Sequence, residues 1–173
     1  MTTTLTTDVR GSVSWTLAAA SDLSTQADNG SVSFDHSYVD GAAAYQASVR
    51  WHDRRTLAAA TSETLDLTAL TQVLLDGTQT ITFATLRELV VVNHGTAADQ
   101  TIDVSTEGLT NGLWDLLDKG NQTGGSIRTH RAGVWAISRK KLGWVITAST
   151  KEIKLTNNAA GDPTDYSIYL VGT

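Results

Sequence analysis

Three observations predict an antiparallel all-β protein. Apolar side chains recur at every second position over short runs, the period that sends successive side chains to opposite faces of a strand. Glu152-Ile153-Lys154-Leu155 and Tyr166-Ser167-Ile168-Tyr169-Leu170 alternate in this way. The runs have about the length of an ordinary strand and are separated by Gly, Asn, Asp and Thr turns. The single proline, Pro163, falls in such a turn, which leaves the runs free to donate all their ladder hydrogen bonds. A sandwich or barrel follows, with its best-patterned strands at 86–92, 100–104, 133–138, 144–148, 152–155 and 166–171.

Residues 1–7 are Thr-rich and carry too few apolar side chains to offset their ordering entropy. The expected organisation is therefore a flexible arm, 1–8, ahead of one β-sandwich domain, 9–173. From Val9 the alternation begins, with Val9, Gly11, Val13, Trp15 and Leu17 on one face and Arg10, Ser12, Ser14 and Thr16 on the other. That is a long half-buried strand that places Trp15 in the core. Residues 22–30 form a turn-rich loop ending in Asn29-Gly30, a pair that tolerates positive φ. Alternation returns over 31–39 through Val32 and Phe34 and closes at Asp40-Gly41.

Tyr45, Ala47, Val49 and Trp51 predict a strand that runs into a bend at His52-Asp53-Arg54-Arg55, and a further strand carries Leu65 and Leu67. Asp76-Gly77 is the next turn. Residues 80–83 follow, and Leu89-Val90-Val91-Val92 is apolar on both faces, which puts it mid-sheet until Asn93-His94-Gly95 ends it. One short helical insert is expected near 111–119. Asn111 can cap it, Leu113, Leu116 and Leu117 share a face at i, i+3 and i+4, and Gly120 suits a stop. About two turns cannot stand alone, so the insert must pack on the sandwich or into a partner.

Composition narrows the function. The 173 residues suffice for one core, carry a net charge of −5 and contain no cysteine, which removes disulfides, thiolate metal sites and thiol nucleophiles. Basic residues are scattered apart from Arg54-Arg55 and Arg139-Lys140-Lys141, too few for the basic face a nucleic-acid partner requires. No run approaches the roughly 18 consecutive apolar residues of a membrane span, and no membrane partner is expected. Met1 is followed by Thr-Thr-Thr-Leu-Thr-Thr rather than a basic cluster and an apolar core. The chain is thus expected to remain in the cell that makes it or to leave inside an assembly.

No catalytic, cofactor or metal residue is assigned. The four histidines, His36, His52, His94 and His130, stand beside turns or strand ends without metal-ligand spacing. Asp35-His36 and His52-Asp53 are strand neighbours that point to opposite faces, so neither forms a dyad by adjacency. The glycine-rich run 120–126 lacks the lysine of a phosphate loop, and no nucleophile elbow occurs.

Five tryptophans are many for this length. Trp135 and Trp144 share faces with Ile137 and Ile146, which reads as core. Trp51 abuts the polar cluster and Trp114 lies in the short insert, so core and interface stand equally open for both. Arg54-Arg55 beside Asp53 reads either as a solvated turn or as guanidinium forks for carboxylates of a neighbouring subunit. The candidate interface set is therefore Trp51, His52, Asp53, Arg54, Arg55, Trp114, Leu116 and Leu117.

The stretch 51–59 (Trp-His-Asp-Arg-Arg-Thr-Leu-Ala-Ala), with 63–67, 80–86, 89–93, 131–135, 143–147, 153–157 and 166–173, resembles a family of small virion proteins of tailed bacteriophages. The likeness covers roughly residue 45 to the C-terminus. It implies a jelly-roll β sandwich built into the phage particle as a decoration, spike or neck component. Such a protein would be made in the bacterial host cytoplasm and would bind its own copies, a trimer being favoured, together with the major capsid protein or other virion proteins. The alternative expectation is a carbohydrate-binding β sandwich used in host attachment, with Trp51 or Trp114 stacked on a sugar.

Overall fold

The computed structural model describes residues 4–20, 25–74, 77–117 and 125–173. The chain first makes a hairpin of two 14-residue strands, β1 (Thr7–Ala20) and β2 (Thr25–Tyr38). The body follows with β3 (Val49–Leu57), β4 (Ser62–Asp66), β5 (Leu70–Leu74), β6 (Gly77–Ile81), β7 (Thr85–Asn93) and β8 (Ile102–Ser105). After a single 3-10 turn, Trp114–Leu116, come β9 (Ser126–Thr129), β10 (Val134–Ser138), β11 (Trp144–Val145), β12 (Glu152–Asn157) and β13 (Thr164–Gly172).

The pairing is that of one antiparallel ribbon wrapped on itself. β3 pairs with β13, β4 with β12, β7 with β10 and β8 with β9, so an outgoing half of the chain is matched strand by strand with a returning half. Pairing of β13 with β7 and of β12 with β8 then folds the ribbon into two sheets, ordered β10-β7-β13-β3, with β11 also on β7, and β4-β12-β8-β9. A five-stranded and a four-stranded layer filled from a ribbon that crosses between them make a jelly roll. β5 and β6 form a separate hairpin beside β3.

Alternation fixes the faces. β12 buries Ile153, Leu155 and Asn157 and β13 buries Tyr166, Ile168 and Leu170, each at every second position. These meet Trp51, Leu89 and Val91 of the first sheet and Leu65, Ile102 and Val104 of the second in one core, which Leu67, Phe83, Leu113 and Leu116 close. Two buried asparagines tie loops to it. Asn93 donates to the carbonyls of Gln100 (3.0 Å) and Thr129 (2.9 Å), and Asn157 to those of Leu57, Ala58 and Asp162 (3.0–3.1 Å).

A bulge opens where β13 shifts register between Val171 and Gly172, whose partners are Glu88 and Leu86, so Arg87 is the extra residue. Its guanidinium is buried and donates to the carbonyls of Lys140, Lys141, Ala42 and Ala43 at 2.8–3.3 Å.

Several expectations are corrected. Asn29-Gly30 is no turn: β2 begins at Thr25, and Gly30 lies opposite Trp15. Residues 21–24 lie outside the described residues. The bend at 52–55 is the middle of β3, because its charged side chains find partners on both faces of the strand. In place of two helical turns there is one 3-10 turn, preceded by Leu113 without a side-chain cap. The Asn111 carbonyl accepts from the amides of Lys151 and Glu152 (both 2.8 Å) and the Leu113 amide donates to Glu152, so β12 holds this backbone as a neighbouring edge. The expected stop at Gly120 lies outside the described residues. Within the expected arm 1–8, Leu5 packs against Tyr38, Ala47 and Val171, and β1 starts at Thr7.

Candidate docking surfaces

The β1–β2 hairpin is an arm. Its register pairs Val9 with His36, Gly11 with Phe34, Val13 with Val32, Trp15 with Gly30 and Leu17 with Asp28, which gathers these ten on one face. Each aromatic lies across the glycine opposite. A Cβ at Gly30 would come within 2.1 Å of the Trp15 ring, and one at Gly11 within 2.3 Å of the Phe34 ring. A side chain at either place would push the ring aside, so the glycines let each ring lie flat across the strand opposite. The opposite face is polar and internally paired, with Arg10 bridging Asp8 (3.3 Å) and Asp35 (2.8 Å).

Nothing among the described residues covers the apolar face beyond its base. Val13, Leu17 and Val32 are 66–69% exposed, Trp15 45% and Phe34 44%. The expectation that Trp15 belongs to the core is thus corrected: strict alternation marks an apolar face without saying what lies on it.

The root of the arm is held by a buried carboxylate. Glu88, 1% exposed on the outer side of the first sheet, accepts from the Tyr38 hydroxyl (2.7 Å) and lies 3.2 Å from His36 Nδ1. Burial first, then the bond to Glu88, raises the Tyr38 phenol above its ordinary range. Thr7 Oγ1 meets the Tyr169 hydroxyl at 2.6 Å. Tyr38, Ala47 and Val171 form a small second core at this root, against which Leu5 and Tyr169 pack.

A second open apolar face lies on the outer side of the first sheet. Val92 is paired with Val134 and Val90 with Ala136, and Tyr169 stands beside Val90. Val134 is 66% exposed. Toward the β3 edge this face carries the exposed Arg50, His52 and Arg54.

The residues expected at an interface separate into four groups. Trp51 is fully buried, with its ring N–H donating to the Thr71 carbonyl (2.9 Å), and Leu116 is 2% exposed, so both are corrected from interface to core. The Trp51 ring accordingly has no face to offer a sugar. Trp114 and Leu117 are half-buried at the 3-10 turn. Asp53 and Arg55 point to the inner edge of β3, where Arg55 donates to Asp53 (2.9 Å) and to Glu63 of the other sheet (2.5 Å) and lies over the Trp51 ring. Glu63 also accepts from the Tyr166 hydroxyl.

That cluster is a clasp between the two sheets of one chain. Burial opposes the Arg55 charge, but the bonds to Asp53 and Glu63 outweigh it and the guanidinium pKa is raised. Arg54 instead pairs outward with Asp165 (3.3 Å). His52, Asp53 and Arg54 line one side of an open groove of about 470 Å³, and Thr71, Gln72 and Val73 line the other.

Among the described residues no group of three or more His, Asp or Glu is placed to hold a metal ion. His94 Nε2 meets Ser167 Oγ at 2.8 Å, and His52 leans on the Tyr169 ring. The five open apolar residues of the arm are what sequence reasoning missed. Their available signal was two alternating runs of matching length with glycine set among the aromatics.

No protein-family model and no curated protein matches the chain. Among solved structures it is similar to the crystal structure of Yersinia pseudotuberculosis-derived mitogen (YPM), at 15% identity over 72% of this chain and 86% of that one, with a TM-score of 0.38. So slight a likeness carries no argument about the function.

Proposed function

We propose that the chain is a non-enzymatic structural subunit of a bacteriophage particle, which binds its own copies, as a trimer, and the capsid shell or neighbouring virion proteins. The observation that carries this reading is the pairing of a jelly-roll body with an arm that holds Val13, Trp15, Leu17, Val32 and Phe34 out in water. A two-stranded hairpin is marginal by itself, and open apolar faces of this kind mark surfaces that another protein covers. The residues that carry the phage resemblance occupy strands and strand ends of the body, so the resemblance and the jelly roll concern the same part of the chain.

The test is to purify phage particles from a culture expressing the protein and to locate the subunit by immunogold labelling, alongside light scattering of the isolated chain. Labelled particles and a mass of several copies are expected. A monomer that no particle contains would overturn the reading.

A further inference from the structure

Among the described residues two apolar sheet faces lie open, that of the arm and the part of the outer β7–β10 face around Val134, and the arm does not cover Val134 within the same chain. We propose that the arm of one copy packs its apolar face on the β7–β10 face of the next copy, which passes its own arm onward in turn. This names the contact behind the self-association proposed above and rests on that part of the reading.

The surfaces suit each other in texture and charge. Both are pleated faces rich in β-branched residues, with Val13, Val32, Trp15 and Phe34 on one and the exposed Val134 beside the half-buried Val90 and Val92 on the other, and no ionised group lies in the middle. Sheet faces of that kind interdigitate when they stack. At the margins the charges are opposite: the arm face ends in Asp28, whereas Arg50 and His52 flank the sheet face, where Arg54 is already paired with Asp165. The polar face of the arm already satisfies its own charges through Arg10, Asp8 and Asp35, so it can remain in water.

A specific interface needs roughly 1,000 Å² in total, and Val13, Leu17, Val32 and Val134, each about two-thirds exposed, are the residues that such a contact would cover first. In a head-to-tail arrangement every subunit makes two such contacts, once as donor and once as acceptor, and a closed ring leaves no arm unpartnered.

The cysteine-free chain allows a direct test, since any introduced thiol is unique. Leu17 on the arm and Val134 on the sheet are exposed, so cysteine at either leaves the core untouched. With a short bis-maleimide, the Leu17→Cys/Val134→Cys chain should form a covalent ladder of subunits that stops at the ring size, and each single variant should form none.

Cross-linking of Leu17→Cys alone would mean arm on arm, and of Val134→Cys alone sheet on sheet. Either result, or a double variant that remains monomeric, overturns the proposal. In sedimentation velocity, Trp15→Ser and Val134→Asp should each weaken association at least tenfold, while Val73→Ser, 78% exposed on β5, should not. An unchanged Val134→Asp protein would also refute it. Immunogold labelling tests the place in the phage and cross-linking of the purified chain tests the contact, so each can fail without the other.

Discussion

Glu88 is the residue on which the arm's attachment turns. Replacing it with alanine removes a carboxylate buried on the outer side of the first sheet and leaves the Tyr38 hydroxyl, in a fully buried side chain, without its acceptor at 2.7 Å. A hydrogen bond to a charged group contributes about 1.5–3 kcal/mol, and an orphaned buried hydroxyl costs about 1–3 kcal/mol more. Relief of the carboxylate's own burial offsets part of this. Glu88→Ala should therefore lose about 2–4 kcal/mol, a large share of the roughly 5–15 kcal/mol that holds a domain together.

Tyr38→Phe removes the same bond from the other side and leaves the buried Glu88 carboxylate without its hydroxyl donor, at about 1.5–3 kcal/mol. Because the double variant leaves neither group unpaired, it should be less destabilised than the sum of the singles by about 1–2 kcal/mol. Urea unfolding followed by tryptophan fluorescence gives the three free energies, and hydrogen exchange at the β2 amides shows whether the root has come loose. Additivity within about 0.5 kcal/mol would mean that the bond does not hold the root and would refute the reasoning.

Three further outcomes follow from other parts of the body. Asn157→Asp should lose about 2–4 kcal/mol in chemical denaturation, because a carboxylate cannot donate to the carbonyls of Leu57, Ala58 and Asp162. Gly172→Ala should lower the thermal midpoint sharply, since its Cβ would stand 1.9 Å from the Thr85 carbonyl oxygen and the bulge cannot move aside. The Tyr166 phenol is raised above its ordinary range, by burial first and then by its bond to Glu63. Its neutral form belongs to the fold, so its contribution is complete below about pH 10 and is lost as pH rises beyond that. Tyr166→Phe should flatten the alkaline limb of stability between about pH 9.5 and 11.5 in a melting series.

At the acid end, Asp66 behaves in the opposite sense. Burial opposes its charge, but hydrogen bonds from Lys151 (2.5 Å) and from the Thr68 hydroxyl and amide (2.6 and 2.8 Å) outweigh it and hold its pKa down. A depressed carboxylate stabilises the fold above about pH 4 and loses that contribution as pH falls through the folded value. Asp66→Asn should melt lower than the parent at pH 6, and the gap should close toward pH 2. A constant gap would show that the bonds to the ionised form are not what stabilises this turn.

Strands of the body were legible wherever one face is buried. The alternation at 152–155 and 166–171 corresponds to β12 and β13, and the doubly apolar 89–92 to a strand with partners on both sides. Charged residues misled where ion pairs made a strand position tolerable, as in β3, and a leucine spacing of i, i+3, i+4 misled at 113–117 because the edge of β12 claimed the backbone first. Trp51 shows why composition could not find the core: its polar neighbours in sequence point elsewhere, and the partners that bury it come from other strands and both sheets.

The arm failed for a different reason, and that reason bears on function. Val9 to Leu17 carry the pattern of a half-buried strand as clearly as β12 does, yet in one chain the burial is absent. A sequence pattern reports what a segment is suited to touch, not whether the partner belongs to the same molecule. Val13 and Val32 pair across the hairpin and help to set its register, yet both stay about two-thirds exposed, as does Leu17. On the proposed reading a second chain completes their burial, and the root at Glu88 and Tyr38, which packs apart from the core of the jelly roll, is where the arm joins the body.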